Sequence, residues 1–452
     1  MSALPASNTH ADHRQLLRRV FQHTLAECST ARAFAHHVEF ERGVLRVKDD
    51  LYALADFDRV FLASIGKAAY SMVQALADKV GLPASANARP MWGTAFSGIV
   101  VGPTEPERML PGLEYFRGGH PLPNADSVRA GEAILRGLRG LTERSLVIFL
   151  LSGGGSALVE KPVQGISLDD LVATYRALVH SSAPIAKINA VRKHLSATKG
   201  GRMALAACPA RQVSAMISDV PQNALDSLAS GPTMPDSSTV EDCYRIVTDH
   251  DLLRDFPPAV CQLFAARALE ETPKPGDAAF ANSRWHVLLS SAVAEHEAAR
   301  QAAAEGFTVT VDSSCDDWDY RRAADYLLEQ LRASRQKHQR ACLVSGGEVT
   351  VRVSNGGTGG RNQQFALYCA SRIAGENMAV LSAGTDGIDG NSAAAGAVAD
   401  GTTLARAETR GLSVAASLAH FDAFPLLDAL GDAIITGPTG TNVRDIRVLL
   451  AW

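Results

Sequence analysis

The sequence predicts a two-domain α/β protein built of layered strands and helices. Three observations carry that expectation. Short apolar runs of buried-strand type recur along the chain, several are followed by a glycine-rich turn, and many lead into a helix-like stretch of about 10–15 residues. Such alternation gives mainly parallel sheets covered by helices, with ligands beyond the carboxyl ends of the strands.

In chain order, residues 13–38 place Leu16, Leu17, Val20, Phe21 and Leu25 at helical spacing, as in a surface helix packed on the main body. Val60-Phe61-Leu62 then reads as a strand, Gly66-Lys67 as a turn and Ala68–Val80 as a helix. The unit recurs at "SGIVVG", at "SLVIFLLSGGGS" followed by a helix over Leu168–Val179, and at "QVSAMISDV". A Pro/Gly/Asp-rich stretch near Pro273–Asp277 reads as a linker and sets the expected domains at 1–275 and 276–452. The second series comprises "WHVLLSS", a helix near Ala294–Ala304, "FTVTVD", a helix near Arg321–Arg332, "ACLVSGGEVTVRV", "MAVLSAGTDG" and "AIITG".

Composition narrows the function classes. The 452 residues are 46% hydrophobic and hold 44 Lys+Arg against 48 Asp+Glu, a formal net charge of -4. No basic stripe alternates with aromatics, so nucleic acid is not an expected partner and small molecules are. The seven cysteines lie far apart, without a CxxC pair or metal-like spacing, which suits a reducing cytosol. No signal-like N-terminus and no membrane-length apolar window stands out, so a soluble, cytoplasmic protein is expected.

The glycine-rich loops carry the chemistry. Gly66-Lys67, Ser152–Ser156, Ser218-Asp219, Ser345–Glu348, Gly356–Arg361, Gly384–Gly390 and Gly437–Asn442 all follow or join expected strands. Bare backbone, serine hydroxyls and helix N-termini suit an anion, and Arg192, Lys193, Lys199, Arg202 and Arg361 flank glycines with fixed positive charge. The residues around Gly66-Lys67 do not make a Walker P-loop, no G-x-G-x-x-G follows an early strand, and "GGGSA" is not a nucleophile elbow. Asp386, Asp389 and Asp219 at strand ends suit Mg²⁺ bridging to phosphates. Lys67, Lys193, Arg361 and an Asp-bound Mg²⁺ would together supply the charge neutralisation that phosphoryl transfer needs.

The set "SIGKAA", "LSGGGSAL", "INAVRKHLSATKGGRMA", "ISDV", "ASGPTMPD", "SGGEVTV", "GGRNQQFAL", "GTDGIDGNSAAAGAV" and "TGPTGTNVRD", in this order from about Ser64 to Asp445, resembles the class II glycerate kinases. The resemblance implies a Rossmann-like α/β/α N-terminal domain and a smaller α/β C-terminal domain containing the MOFRL region at about 340–450. It also implies an active site in the interdomain cleft. The implied activity is ATP- and Mg²⁺-dependent phosphorylation of D-glycerate at the 2-hydroxyl, giving 2-phosphoglycerate and ADP. The sequence does not show the assembly, for which a homodimer is the commonest soluble form. Members of the family have also been labelled NAD(P)H-dependent hydroxypyruvate reductases, a label the missing dinucleotide fingerprint opposes here.

By position, the family's catalytic residues fall on Lys67, Arg361, Asp386 and Asn442, and its phosphate loop falls on Ser152, Gly153, Gly154, Gly155 and Ser156. Lys193 and Lys199 are expected to assist the nucleotide, and Asp219 and Asp386 the metal. Lys67 and Arg361 would bind the substrate carboxylate and the γ-phosphoryl. Asp386 would orient or deprotonate the 2-hydroxyl or hold Mg²⁺, and Asn442 would position substrate. Two departures from the family stand out: Gln222-Asn223 replaces the usual Gly-Asp after "ISDVP", and Asn391 and Ala393 stand where Pro and Asp are common. His120, in "GGHPLPN", reads as structural or solvent-facing, and the cysteines read as core residues.

Overall fold

The computed structural model describes residues 9–82, 93–106, 108–181, 183–353 and 356–452. The chain divides into two compact units, one formed by Ala33–Leu288 and the other by Met1–Arg32 with Leu289–Trp452. This division differs from a single cut at residue 275. The helix His10–Glu27 buries Leu16, Leu17, Val20 and Phe21 against Ala298, Ala302, Val448 and Leu450 of the second unit. Arg14 adds an ion pair to the buried Asp400. The apolar stripe legible in the sequence is therefore satisfied by C-terminal residues.

The first unit opens with an antiparallel meander of β1 (Val38–Glu41), β2 (Val44–Val47) and β3 (Asp50–Ala53). Its main sheet holds β4 (Arg59–Ile65), β5 (Ala95–Gly102), β6 (Leu113–Arg117), β7 (Ser145–Ser152), β8 (Arg211–Ile217) and β9 (Ser283–Leu289). Their order is β6-β5-β4-β7-β8-β9, and β4 pairs in parallel with both β5 and β7. All eight residues of β7 are buried, as the unbroken run "SLVIFLLS" requires of a strand covered on both faces. The loops after β4 and β7 therefore leave the same edge of the sheet.

The helix Ala69–Val80 follows β4 and ends on Gly81 in the left-handed conformation. The helix Ala125–Leu138 starts with a capping box between Asn124 and Ser127 and buries Ala130, Ile134 and Leu138 on Phe61 and Phe149.

The second unit contains β10 (Thr308–Val311), β11 (Ala341–Gly346), β12 (Met378–Gly384), β13 (Gly396–Asp400), β14 (Ala433–Ile434) and β15 (Asp445–Ala451). The order is β10-β11-β15-β12-β13-β14. Here the expectation of a mainly parallel sheet is corrected: only β10–β11 is parallel, and the other four pairings are antiparallel. Two of these pairings come from β15, which returns from the loop after β14 and inserts between β11 and β12 with all seven residues buried, and the other two from β13, which runs against both β12 and β14. Helices Tyr320–Lys337 and Arg361–Arg372 cover one face through Leu327, Leu328, Phe365 and Cys369.

Candidate active site

In the first unit the turns after β4 and β7 are tied together. The Lys67 amide donates to the Gly153 carbonyl at 2.8 Å, and the Ala68 amide donates to Ser152 Oγ at 3.0 Å. Gly153 is required by close approach, because a Cβ there would collide with the Asp219 carboxylate at the end of β8. Ser152 and Gly153 thus spend their polar and steric freedom on neighbouring loops. Gly154, at φ +82°, and Ser156 instead border a cavity of about 110 Å³ with His120, Tyr175 and Arg192. The Lys67 chain passes beside Gly154, its ammonium is exposed, and among the described residues no carboxylate pairs with it.

The other two expected phosphate lysines are elsewhere. Lys199 is fully buried, with Nζ 2.6 Å from Glu160 Oε2 and 3.2 Å from the Val159 carbonyl. Glu160 also accepts from Tyr175 at 2.8 Å and from Ser196. Burial lowers the Lys199 pKa and the Glu160 carboxylate opposes that shift. Lys193 is buried between Asp226 at 3.0 Å and Asp236 at 3.1 Å. Both lysines are therefore engaged by carboxylates, Lys199 by Glu160 and Lys193 by Asp226 and Asp236, although Lys199 also borders a small void with Gly155. Glycines beside a cation suggested phosphate, but the spacing in "VRKHLSATKGGR" leaves Lys193 and Lys199 in the interior and only Arg192 at the cavity.

In the second unit Arg361 and Asp386 line one cavity, and Asn442 lies on a loop tied to that of Asp386 without lining the cavity. Asp386 follows β12, Arg361 opens the helix Arg361–Arg372, and Asn442 precedes β15. Thr385 joins the first and last of these loops: its Oγ1 accepts from the Val443 amide at 2.8 Å and donates to the Arg444 carbonyl at 2.7 Å. The Thr439 amide donates to the Asp386 carbonyl at 3.1 Å, and the Arg444 amide to Asn442 Oδ1 at 2.9 Å. Gly387, at φ +87°, lies against the Gly437 carbonyl so closely that a Cβ would clash with it. Arg361, Asp386, Gly356, Gly357, Gly359 and Gly360 line a cavity of about 710 Å³ whose apolar wall includes Val351, Val353 and Phe421.

Arg361 does not present an empty fork. Its Nε and Nη2 lie 2.6 and 3.1 Å from the two oxygens of Asp445, and Nη2 lies 2.8 Å from Glu348. Burial alone would lower its pKa, yet the flanking carboxylates raise it, so it remains a fixed cation. Burial and the Asp445 carboxylate push Glu348 up. Glu348 and Asp445 were not singled out in the sequence as charge partners, although "SGGE" and "NVRD" display them.

Asp389 is not a metal candidate. Its carboxylate is 2% exposed and caps the helix Arg361–Arg372, accepting from the Asn362 and Gln363 amides at 3.1 and 2.9 Å. Burial pushes its pKa up to about 6 against those donors. It fills the helix N-terminus that sequence reasoning would offer to phosphate. Asn391 bridges the paired loops, accepting from the Gly359 amide at 2.9 Å and donating to the Gly357 carbonyl at 3.0 Å. A direct role in loop stiffness follows for this departure. Gln222-Asn223 opens a 3₁₀ segment, Gln222–Ser230, and the Gln222 side chain lies outside the described residues.

His120 borders the small cavity. Partial burial and the Lys67 ammonium hold its pKa below the ordinary histidine value. Cys208 is exposed and Cys261 partly so, so the core assignment fits Cys28, Cys243, Cys315, Cys342 and Cys369.

A strand–loop architecture with anion-competent turns in two α/β units defines the class. Residues 16–265 match a domain of unknown function, DUF4147, and residues 341–445 match the MOFRL family. A D-glycerate 2-kinase of Thermotoga maritima is 35% identical over 89% of this chain and 93% of its own length. An Agrobacterium vitis relative bearing a hydroxypyruvate reductase name is 33% identical over 97% of this chain and 94% of its own. The solved glycerate kinase structure from Thermotoga maritima superposes with a TM-score of 0.83 at 32% identity, covering 98% of this chain and 100% of that one. The chain belongs to the class II glycerate kinase family, in which a DUF4147 region is followed by a MOFRL region.

Proposed function

We propose that this chain transfers the γ-phosphoryl group of ATP to the 2-hydroxyl of D-glycerate, releasing ADP and 2-phosphoglycerate. The observation that carries the reading is the joint lining of one 710 Å³ cavity by Arg361 and Asp386, a held cation beside a half-buried carboxylate. That volume lies within the range of about 300–1,000 Å³ usual for small-molecule sites. Its apolar wall of Val351, Val353 and Phe421 suits the flat base of a nucleotide. A glycerate kinase name on relatives that align along most of the chain supports the acceptor.

Mg²⁺ fits the donor set in one way only. Among the described residues no cluster of three or more acidic, histidine or cysteine side chains could cage a metal. A single carboxylate such as Asp386, or Asp219 taken by itself, suits an ion that arrives with the nucleotide and keeps several waters. Such an ion would neutralise phosphate charge. The remaining steps belong to the protein: the 2-hydroxyl oxygen bonds to the γ-phosphorus, the bond to the β–γ bridging oxygen breaks, and Asp386 orients the hydroxyl or accepts its proton. Lys67, an exposed point charge, follows the transferring group. Arg361 supplies fixed charge, Asn442 positions substrate by hydrogen bonds, and Gly154 and Ser156 accept an anionic group.

Purified protein given D-glycerate and MgATP should form ADP only when all three are present, with the new phosphate on the 2-oxygen. NADH oxidation with hydroxypyruvate and no ADP formation would reject the proposal. Among the described residues no helix is long and apolar enough to cross a membrane.

A further inference from the structure

We infer that Arg192, with His120 and Ser156, holds the carboxylate of the acceptor acid in the small cavity of the first unit; the inference rests on the glycerate kinase reading. The cavity of about 110 Å³ suits a carboxylate with its neighbouring carbons, and is too small for a nucleoside.

Charge around the cavity is unbalanced. Arg192 stacks its guanidinium 4.8 Å from the Tyr175 ring centroid, and its Nε is buried without a hydrogen-bond partner among the described residues. Burial lowers the Arg192 pKa, yet a guanidinium keeps its proton. The nearby acids are committed elsewhere. Glu160 is paired with Lys199 and accepts from Tyr175 and Ser196, and Asp226 is paired with Lys193. Asp219 stands against Gly153 and does not line the cavity.

A buried cationic donor is costly to leave unmet, so the arrangement is stable where a ligand supplies the acceptor. A planar guanidinium supported by an aromatic face matches a planar carboxylate. Ser156 keeps its hydroxyl at the cavity while bonded to Ser230 at 2.7 Å, and His120, biased toward the neutral form, offers a directed N–H. Arg361, the expected carboxylate fork, is already occupied by Asp445 and Glu348. The nucleotide loop expected over Ser152–Ser156 becomes, on this assignment, the floor of the acceptor site.

The test compares D-glycerate with its neutral carboxamide, D-glyceramide, in wild type, Arg192→Gln and Arg192→Lys. The expected result for Arg192→Gln is a rise in the KM for D-glycerate of roughly 30-fold, with the KM for ATP within about twofold of wild type. The preference of wild type for glycerate over glyceramide should fall by a similar factor. Arg192→Lys should lie between, because it keeps the charge and loses the fork. Melting temperatures of both variants separate lost folding from lost recognition. An unchanged glycerate-to-glyceramide preference in folded Arg192→Gln would overturn the inference while leaving the kinase intact, as would a rise confined to the KM for ATP. A wild type that phosphorylates neither acid nor amide would overturn the kinase reading and the inference with it.

Discussion

Replacing Lys199 by methionine separates a nucleotide role from a structural one. The Nζ of Lys199 lies 2.6 Å from Glu160 Oε2, and the side chains are 1% and 0% exposed. Removing one partner of such a pair strands the other charge in the interior, at a cost of about 3–5 kcal/mol. Neutral donors remain on Glu160, namely the Tyr175 hydroxyl at 2.8 Å, the Lys161 amide at 2.9 Å and Ser196. They place the expected loss at the lower end, about 3–4 kcal/mol, or a melting temperature lower by roughly 10 °C for a unit of this size. The double variant Lys199→Met/Glu160→Gln removes both charges and should recover at least half of that loss. Calorimetry gives the stability, and initial rates on the folded protein give the KM for ATP, expected to change less than about threefold. A KM for ATP raised more than about tenfold, with the melting temperature within about 1 °C of wild type, would refute the reasoning.

Other perturbations test separate parts of the account. Lys67→Met should lower kcat/KM by roughly 10²- to 10³-fold with little change in melting temperature, since an exposed charge near phosphate is worth about 4 kcal/mol at an effective dielectric of 20 and its loss strands no partner. Asp386→Asn keeps an acceptor for the Ile388 amide, now 3.1 Å from Oδ1, so kcat should fall at least about 100-fold while urea unfolding is unchanged. Burial would raise the Glu271 pKa, but Lys274, His194 and two backbone amides pull it down to about 2 from 4.5. A depressed acid stabilises the fold fully above its unfolded pKa and loses that contribution as the pH falls toward 2. Glu271→Gln should therefore flatten the decline in unfolding free energy between about pH 5 and pH 3. Gly387→Ala should lower both stability and activity, because φ +87° and the Gly437 carbonyl leave no room for a methyl group; a fully active, equally stable variant would contradict the described joining of those loops.

Much of the fold was legible because β4, β7 and β11 are largely apolar runs ending at glycine, and a buried strand leaves that mark. The central strand β15 was not, since "DIRVLLA" follows a loop and has no helix after it to complete a strand–helix pattern. Its antiparallel insertion between β11 and β12 is a long-range choice that local pattern does not contain. Site residues divide in the same way. Lys67, Arg361, Asp386 and Asn442 stand in short glycine-bracketed motifs whose loops the sheets place at strand ends. Lys193 and Lys199 share a motif with Arg192, and only the tertiary positions of Asp236 and Glu160 decide which cations are neutralised. His120 carried no visible partner, because Gly154 and Arg192 reach it from distant segments.

The central claim is phosphoryl transfer to the glycerate 2-oxygen, and one paired assay tests it most directly. The purified protein is given D-glycerate with MgATP, following ADP and the position of the new phosphate by phosphorus NMR, and in parallel hydroxypyruvate with NADH or NADPH. The account predicts glycerate-dependent ADP, phosphate on the 2-oxygen and no nicotinamide oxidation. Nicotinamide oxidation without ADP would contradict it.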